Sequence, residues 1–220
     1  MASREKAADG VTPQHAFLAA WVGWVSLGES IGFLAPALAQ FLAATVWPGA
    51  DFGLLVLAGL AEGAVLGWSQ AHVLRSRLPR ISTSRWILLT AAGAAFAWSV
   101  GMLPSAFETW QDWPPAAWIG AGGVAAILLL GSIGTAQWFE LRRHTFRAWR
   151  WVVGSSAAWA AGLSVFMLVA PPLWQPGQPA WLIAAIGVAA AVLMAVVMAL
   201  VTGLVLIRLL QVTRTAGAGR

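Results

Sequence analysis

The chain contains no cysteine and no tyrosine, and only 10% of its 220 residues are charged. Without thiols there is no disulfide framework, no thiolate metal site, no thiol redox couple and no cysteine nucleophile. The scarcity of charge excludes more. A soluble domain is about a quarter charged, and a chain that is 60% apolar, with a mean hydropathy of +0.76, has too few polar groups to cover its own surface in water. The composition therefore describes a membrane protein. It leaves no stretch long enough for a second, water-soluble domain, so whatever the protein does is done within the bilayer or at its two surfaces.

Six apolar stretches stand between charged or proline-rich punctuation: about 16–46, 52–74, 86–104, 117–140, 151–170 and 181–208. Each is long enough to cross about 30 Å of hydrocarbon as a helix. A closed β-barrel needs residues that alternate with period two, whereas Ala184 to Leu200 is continuously apolar. The expected fold is all-α, a polytopic bundle of six transmembrane helices in one domain over 16–212. Short tails, 1–15 and 213–220, flank it.

Every basic residue falls in a segment on one side of such a bundle. Arg4 and Lys6 precede the first span, Arg75, Arg77, Arg80 and Arg85 follow the second, Arg142, Arg143, Arg147 and Arg150 follow the fourth, and Arg208, Arg214 and Arg220 end the chain. The positive-inside rule makes that side cytoplasmic and puts both termini there. The opposite loops carry Asp51, Glu108 and Asp112 and are rich in tryptophan and proline, as suits an outer interfacial belt. Ala37-Leu38-Ala39 has the form of a signal-peptide cleavage site, but the preceding apolar run contains Glu29, and the first span is read as retained. The net charge of +5 is thus a topology signature, not a sign of nucleic acid. The eight arginines of the two inner loops are expected to meet anionic lipid headgroups.

The stretch Gly67 to Arg75 matches Gly134 to Arg142, with Gly, Gln, Leu and Arg at the same places 67 residues apart. Arg85-Trp86 matches Arg150-Trp151, and Ser99-Val100-x-Met102 matches Ser164-Val165-x-Met167, both 65 apart. Leu206-Ile207-Arg208 is a weaker third copy, and Trp21 begins the first span much as Trp86 and Trp151 begin theirs. The pattern predicts three tandem helical hairpins, 14–80, 81–147 and 148–212, as a parallel pseudo-threefold repeat.

This Gly-x-x-Gln-x-x-x-Leu-Arg helix end, followed by an Arg-Trp-initiated small-residue helix, resembles a pattern in uncharacterised bacterial multi-pass membrane proteins. The resemblance covers about residues 60–167. It implies a bacterial inner-membrane setting and nothing about a substrate.

Small residues let helix backbones approach where lipid supplies no hydrophobic force. Gly59, Gly63 and Gly67 form a ridge on the second span, Gly28 and Gly32 one on the first, and Gly154, Ala158 and Gly162 one on the fifth, so the second helix is expected to be central. Two acids, Glu29 and Glu62, lie within the spans. A charge at mid-bilayer costs about 2.5–3.5 kcal/mol on insertion scales, so each is expected to face the protein interior, either handling a proton or cation or bonding helices as a neutral acid. Counted from the outer turn, their depths differ by about 7 Å, and a direct pair needs some tilt. Gln70 and Gln137 are repeat-related and suit cross-linking of helices or display of amides at the cytoplasmic mouth, with His72 nearby.

His15, His72 and His144 have no partners at ligand spacing, so neither a metal nor a cofactor is expected. Gly154-Ser155-Ser156 has no histidine in a suitable span, which leaves a membrane enzyme third in order. First comes binding or movement of a small solute or cation through the bundle. The rival is an accessory subunit whose small-residue faces assemble with a membrane-protein partner.

Overall fold

The computed structural model describes residues 2–106 and 113–218, with side chains described for 14–104 and 113–212; the basic and acidic residues of the N-terminal tail, Arg214 and Arg220, and Trp110, Glu108 and Asp112 of the second outer loop lie outside the described side chains. The described residues form seven helical segments and no strand: α1 Ala2–Gly32, α2 Leu34–Thr45, α3 Asp51–Leu74, α4 Thr83–Ala106, α5 Pro115–Leu141, α6 Trp149–Leu173 and α7 Ala180–Ala218. Six stretches are long and apolar enough to cross a membrane, the first of them, Gln14–Thr45, being α1 and α2 together.

The break in the first span has a local cause. Pro36 has no N–H to give the Gly32 carbonyl, and its ring crowds that position. The helical path therefore shifts at Phe33, whose N–H still reaches the Glu29 carbonyl at 2.8 Å. A single helix over 16–46 is corrected to two segments. Turns follow equally local chemistry: Gly49 and Gly177 take left-handed φ values of 86° and 83°, and Pro115 occupies the first turn of α5, where its missing N–H goes unneeded.

The spans close into a ring. Each of α3, α4, α5, α6 and α7 packs beside the next, α1 packs on both α3 and α7, and α2 lies on α3. No helix is central, so the expected central role of the second span is corrected: its glycine ridge serves one seam. There Gly59 admits the Trp98 indole, Gly63 admits Ala91 and Ala94, and Gly67 admits Ile87 and Thr90. A Cβ on Gly63 would lie 2.8 Å from the Ala91 Cα and the Thr90 carbonyl oxygen, both backbone atoms with no freedom to move aside. The other ridges act alike, Gly28 and Gly32 against Ser69 and Glu62, Gly154 against Val205 and Gly162 against Met194. Close approach in these seams replaces the hydrophobic drive that lipid does not provide.

The ring shuts where the first and last spans meet. Gly203 receives Leu18 and Trp21, the Trp21 indole N–H donates to Thr202 Oγ1 at 3.1 Å, and Gln211 reaches Gln14 at 3.2 Å. Thr202→Val keeps the shape and removes that acceptor, and is expected to destabilise the protein by about 1 kcal/mol. Reversible unfolding in mixed micelles measures the loss, and an unchanged midpoint would show that Trp21 finds another acceptor.

The inner-loop arginines are anchored by aromatic rings. Arg77 lies over Phe17 at 5.0 Å, Arg142 over Trp138 at 4.6 Å, Arg147 over Phe146 at 5.5 Å and Arg150 over Trp149 at 6.0 Å. Arg75, Arg80 and Arg143 are exposed at the same end of the bundle. Such cations, stacked on rings and facing outward, suit an interface rich in phosphate.

Candidate functional site

Within the ring, the half nearer the arginines is filled by a layer of three tryptophans. Trp21, Trp86 and Trp151 come from α1, α4 and α6 at intervals of 65 residues, and each is completely buried. Trp151 sits between the other two, with ring centroids 6.3 Å from Trp21 and 6.1 Å from Trp86. An indole in so apolar a place needs an acceptor for its N–H, and each finds one on a neighbouring helix. Trp86 donates to Gln70 Oε1 at 3.2 Å, Trp151 to Gln137 Oε1 at 2.9 Å, and Trp21 to Thr202.

The two glutamines complete the layer. Gln137 Nε2 donates to Gln70 Oε1 at 2.7 Å and to Thr90 Oγ1 at 2.9 Å, so one amide ties α3, α4, α5 and α6 together. Gln70 and Gln137 are thus partners, cross-linking helices as one of the two sequence readings had it. Their polar atoms are spent on one another and on the indoles. His72 is not with them; it lies exposed on the outside of α3, its ring 4.6 Å from that of Trp24 and 5.7 Å from that of Trp68.

Beyond this layer, in the half away from the arginines, the ring encloses a chamber of about 320 Å³. Its walls are built in register: α1, α4 and α6 contribute Glu29, Ala94 and Trp159, and one turn further Phe33, Trp98 and Leu163, again at steps of 65 residues. Met167 lines the chamber and is 57% exposed, and Gly101 is exposed on its other side, so the chamber reaches the lipid-facing surface beside α5. The α5–α6 seam is close lower down, where Gly134 meets Val152 and Ser155.

Glu29 and Glu62 both line this chamber. The break after Gly32 and the seating of that glycine on the Glu62 backbone bring α1 against α3, so the two carboxyls interact directly in spite of the depths inferred from an unbroken first span. Their environments differ. Glu62 Oε2 accepts the Trp98 indole N–H at 2.7 Å. Glu29 is completely buried and neither of its oxygens has a donor in hydrogen-bond geometry; its polar neighbour is another acid. Among the described residues, no Lys, Arg or His lines the chamber. A buried polar atom ordinarily has a partner, and an acid at membrane depth ordinarily has a task or a donor.

A third buried acid was not singled out by the sequence, where Glu140 counts as one more charge at the inner boundary. It is 2% exposed, accepts the Ser82 backbone N–H at 3.0 Å, contacts His144 Nε2 at 3.0 Å and lies 3.6 Å from an Arg85 nitrogen. This cluster ties the start of α4 to the end of α5, and Arg85 is thereby an ion-pair partner as well as an interfacial cation. The signal available in sequence was the lone acid among basic neighbours. No group of His, Asp and Glu suited to a metal ion occurs among the described residues. The chain matches no protein-family profile, no curated protein and no solved structure.

Proposed function

We propose that this integral membrane protein binds a small solute or cation in the chamber inside its helix bundle, with Glu29 and Glu62 as the polar end of the site. The observation that carries the reading is Glu29: a fully buried carboxyl, without a donor, on the wall of a cavity of ligand size. A structural acid should resemble Glu140, with its donors gathered around it. The setting supports the same reading. We infer three tandem hairpins in pseudo-threefold order, from the steps of 65 residues in the tryptophan layer and the chamber wall. Within that order Glu29 stands where the other two hairpins have Ala94 and Trp159, so the acid marks the position at which one copy departs.

The arginine-bearing end is placed in the cytoplasm of a bacterial inner membrane by the charge asymmetry and the Gly-x-x-Gln-x-x-x-Leu-Arg motif. The chamber then faces the outer half of the bilayer, above a closed layer of tryptophan and glutamine. Native mass spectrometry after purification in mild detergent provides the test. Wild-type protein is expected to carry a retained small mass that is missing from the correctly folded double variant Glu29→Gln with Glu62→Gln. Identical spectra, with no bound species in either, would remove the basis for a binding role.

A further inference from the structure

Resting on the reading of the chamber as a binding site, we propose that its ligand is a hydrophobic organic monocation, an amine or quaternary ammonium whose apolar body fills the chamber and whose charge meets Glu29. The walls decide the class. Apart from the two carboxyls, the lining is aliphatic and aromatic, with Phe33, Trp98, Trp159 and Phe166 among it. An inorganic cation would have to exchange its water shell for protein oxygens; magnesium and calcium take six or more. Here two carboxyls offer four oxygens, and Trp98 already occupies one of them. An organic cation carries no such demand, because its charge is spread over a body that the walls solvate by dispersion and by the faces of the rings.

Charge and access agree with this class. A neutral apolar solute would leave the buried Glu29 carboxyl as unpartnered as before, and an anion would be repelled by both acids. One positive charge compensates one carboxylate, and a single proton held between Glu29 and Glu62 satisfies the other, leaving the chamber neutral. The exposed Met167 and Gly101 at its side open toward hydrocarbon, the phase in which such an amphiphile accumulates. The size, about 320 Å³, lies at the small end of ligand pockets, which favours a body of one aromatic ring with a small ammonium group.

The probes are benzyltrimethylammonium and its uncharged carbon isostere neopentylbenzene, measured by equilibrium dialysis against the whole protein in nanodiscs of zwitterionic lipid, with empty nanodiscs subtracted. Saturable binding of the cation, at least about tenfold tighter than the isostere, and insensitive to exchange of 100 mM choline chloride for sodium chloride, is expected. Glu29→Gln is expected to abolish that preference while leaving the isostere unaffected. Binding of both probes with equal affinity, or displacement of the cation by sodium, would overturn the cation class and leave the chamber a binding site. Absence of saturable binding by either probe would bring down both readings. The comparison of the two probes on wild-type protein needs no variant to fold, and Glu62→Gln serves as a second variant should Glu29→Gln be lost.

Discussion

Gln137→Leu is expected to cost about 2–4 kcal/mol of stability, although leucine is a better guest for a membrane helix than glutamine. The side chain accepts from Trp151 and donates to both Gln70 and Thr90. Leucine leaves the Trp151 N–H buried with nothing to bond, and an unsatisfied donor costs about 1–3 kcal/mol by itself. Two further bonds between helices are lost, each worth about 0.6 kcal/mol by the average in helical membrane proteins. Gln70 keeps Trp86 as a donor and Thr90 keeps its own bond to the Trp86 carbonyl, which limits the damage. Steric trapping or unfolding in mixed micelles gives the value. Gln70→Leu should be costly for a related reason, and the double variant should cost less than the two singles added, because the same Gln70–Gln137 bond is counted in each. Strict additivity would mean that the glutamines do not act as a pair.

Glu29→Leu is expected to move stability the other way, raising it by about 1–4 kcal/mol, the range seen when buried charged groups give way to well-packed apolar ones. Nothing in the fold is lost with this carboxyl, since it has no donor, and its removal frees Glu62 from an acidic neighbour. Glu62→Leu should behave oppositely, because it strands the Trp98 indole N–H, at a cost of about 1–3 kcal/mol. The contrast in sign separates the two roles left open by the sequence. A carboxyl that bonds helices destabilises when it is removed; one held ready for a ligand stabilises, the usual exchange of stability for function. A loss of stability in Glu29→Leu comparable to that in Glu62→Leu would assign Glu29 to the scaffold.

The number of spans, their approximate limits and the shared side of the arginines were legible in the sequence, because hydrocarbon thickness and charge placement act on composition alone. The pairing of Gln70 with Gln137 was legible for a related reason: amides at matched places in apolar helices have few partners but each other. What was not legible was which way each helix faces. In water, the apolar stripe of a helix marks its inner side; in lipid, Leu88 at 69% exposed and Leu66 at 1% are equally at home, and no stripe distinguishes them. Trp86 and Trp151 were visible as helix starts, but their inward direction was not, so the layer they make with Trp21 went unread. The meeting of Glu29 and Glu62 was hidden by Pro36, whose break in the first span changes the depths counted along a continuous helix. Glu140 was taken at face value as a surface charge, since its burial depends on a loop folding back to present Ser82.

Closure of the ring through α1 and α7 also sets an order in time. Trp21 and its acceptor Thr202 are separated by 181 residues, which at about 5–20 residues per second places the arrival of the acceptor roughly 10–40 s after the indole is made. The first hairpin must therefore enter the bilayer with that N–H unanswered and one flank of α1 held by lipid alone. Gly203 can receive Leu18 and Trp21 only when the final span is inserted. Nascent chains arrested before α7 should consequently be inserted but not yet locked, a state in which membrane proteases and chaperones, and not the finished ring, decide the fate of the chain.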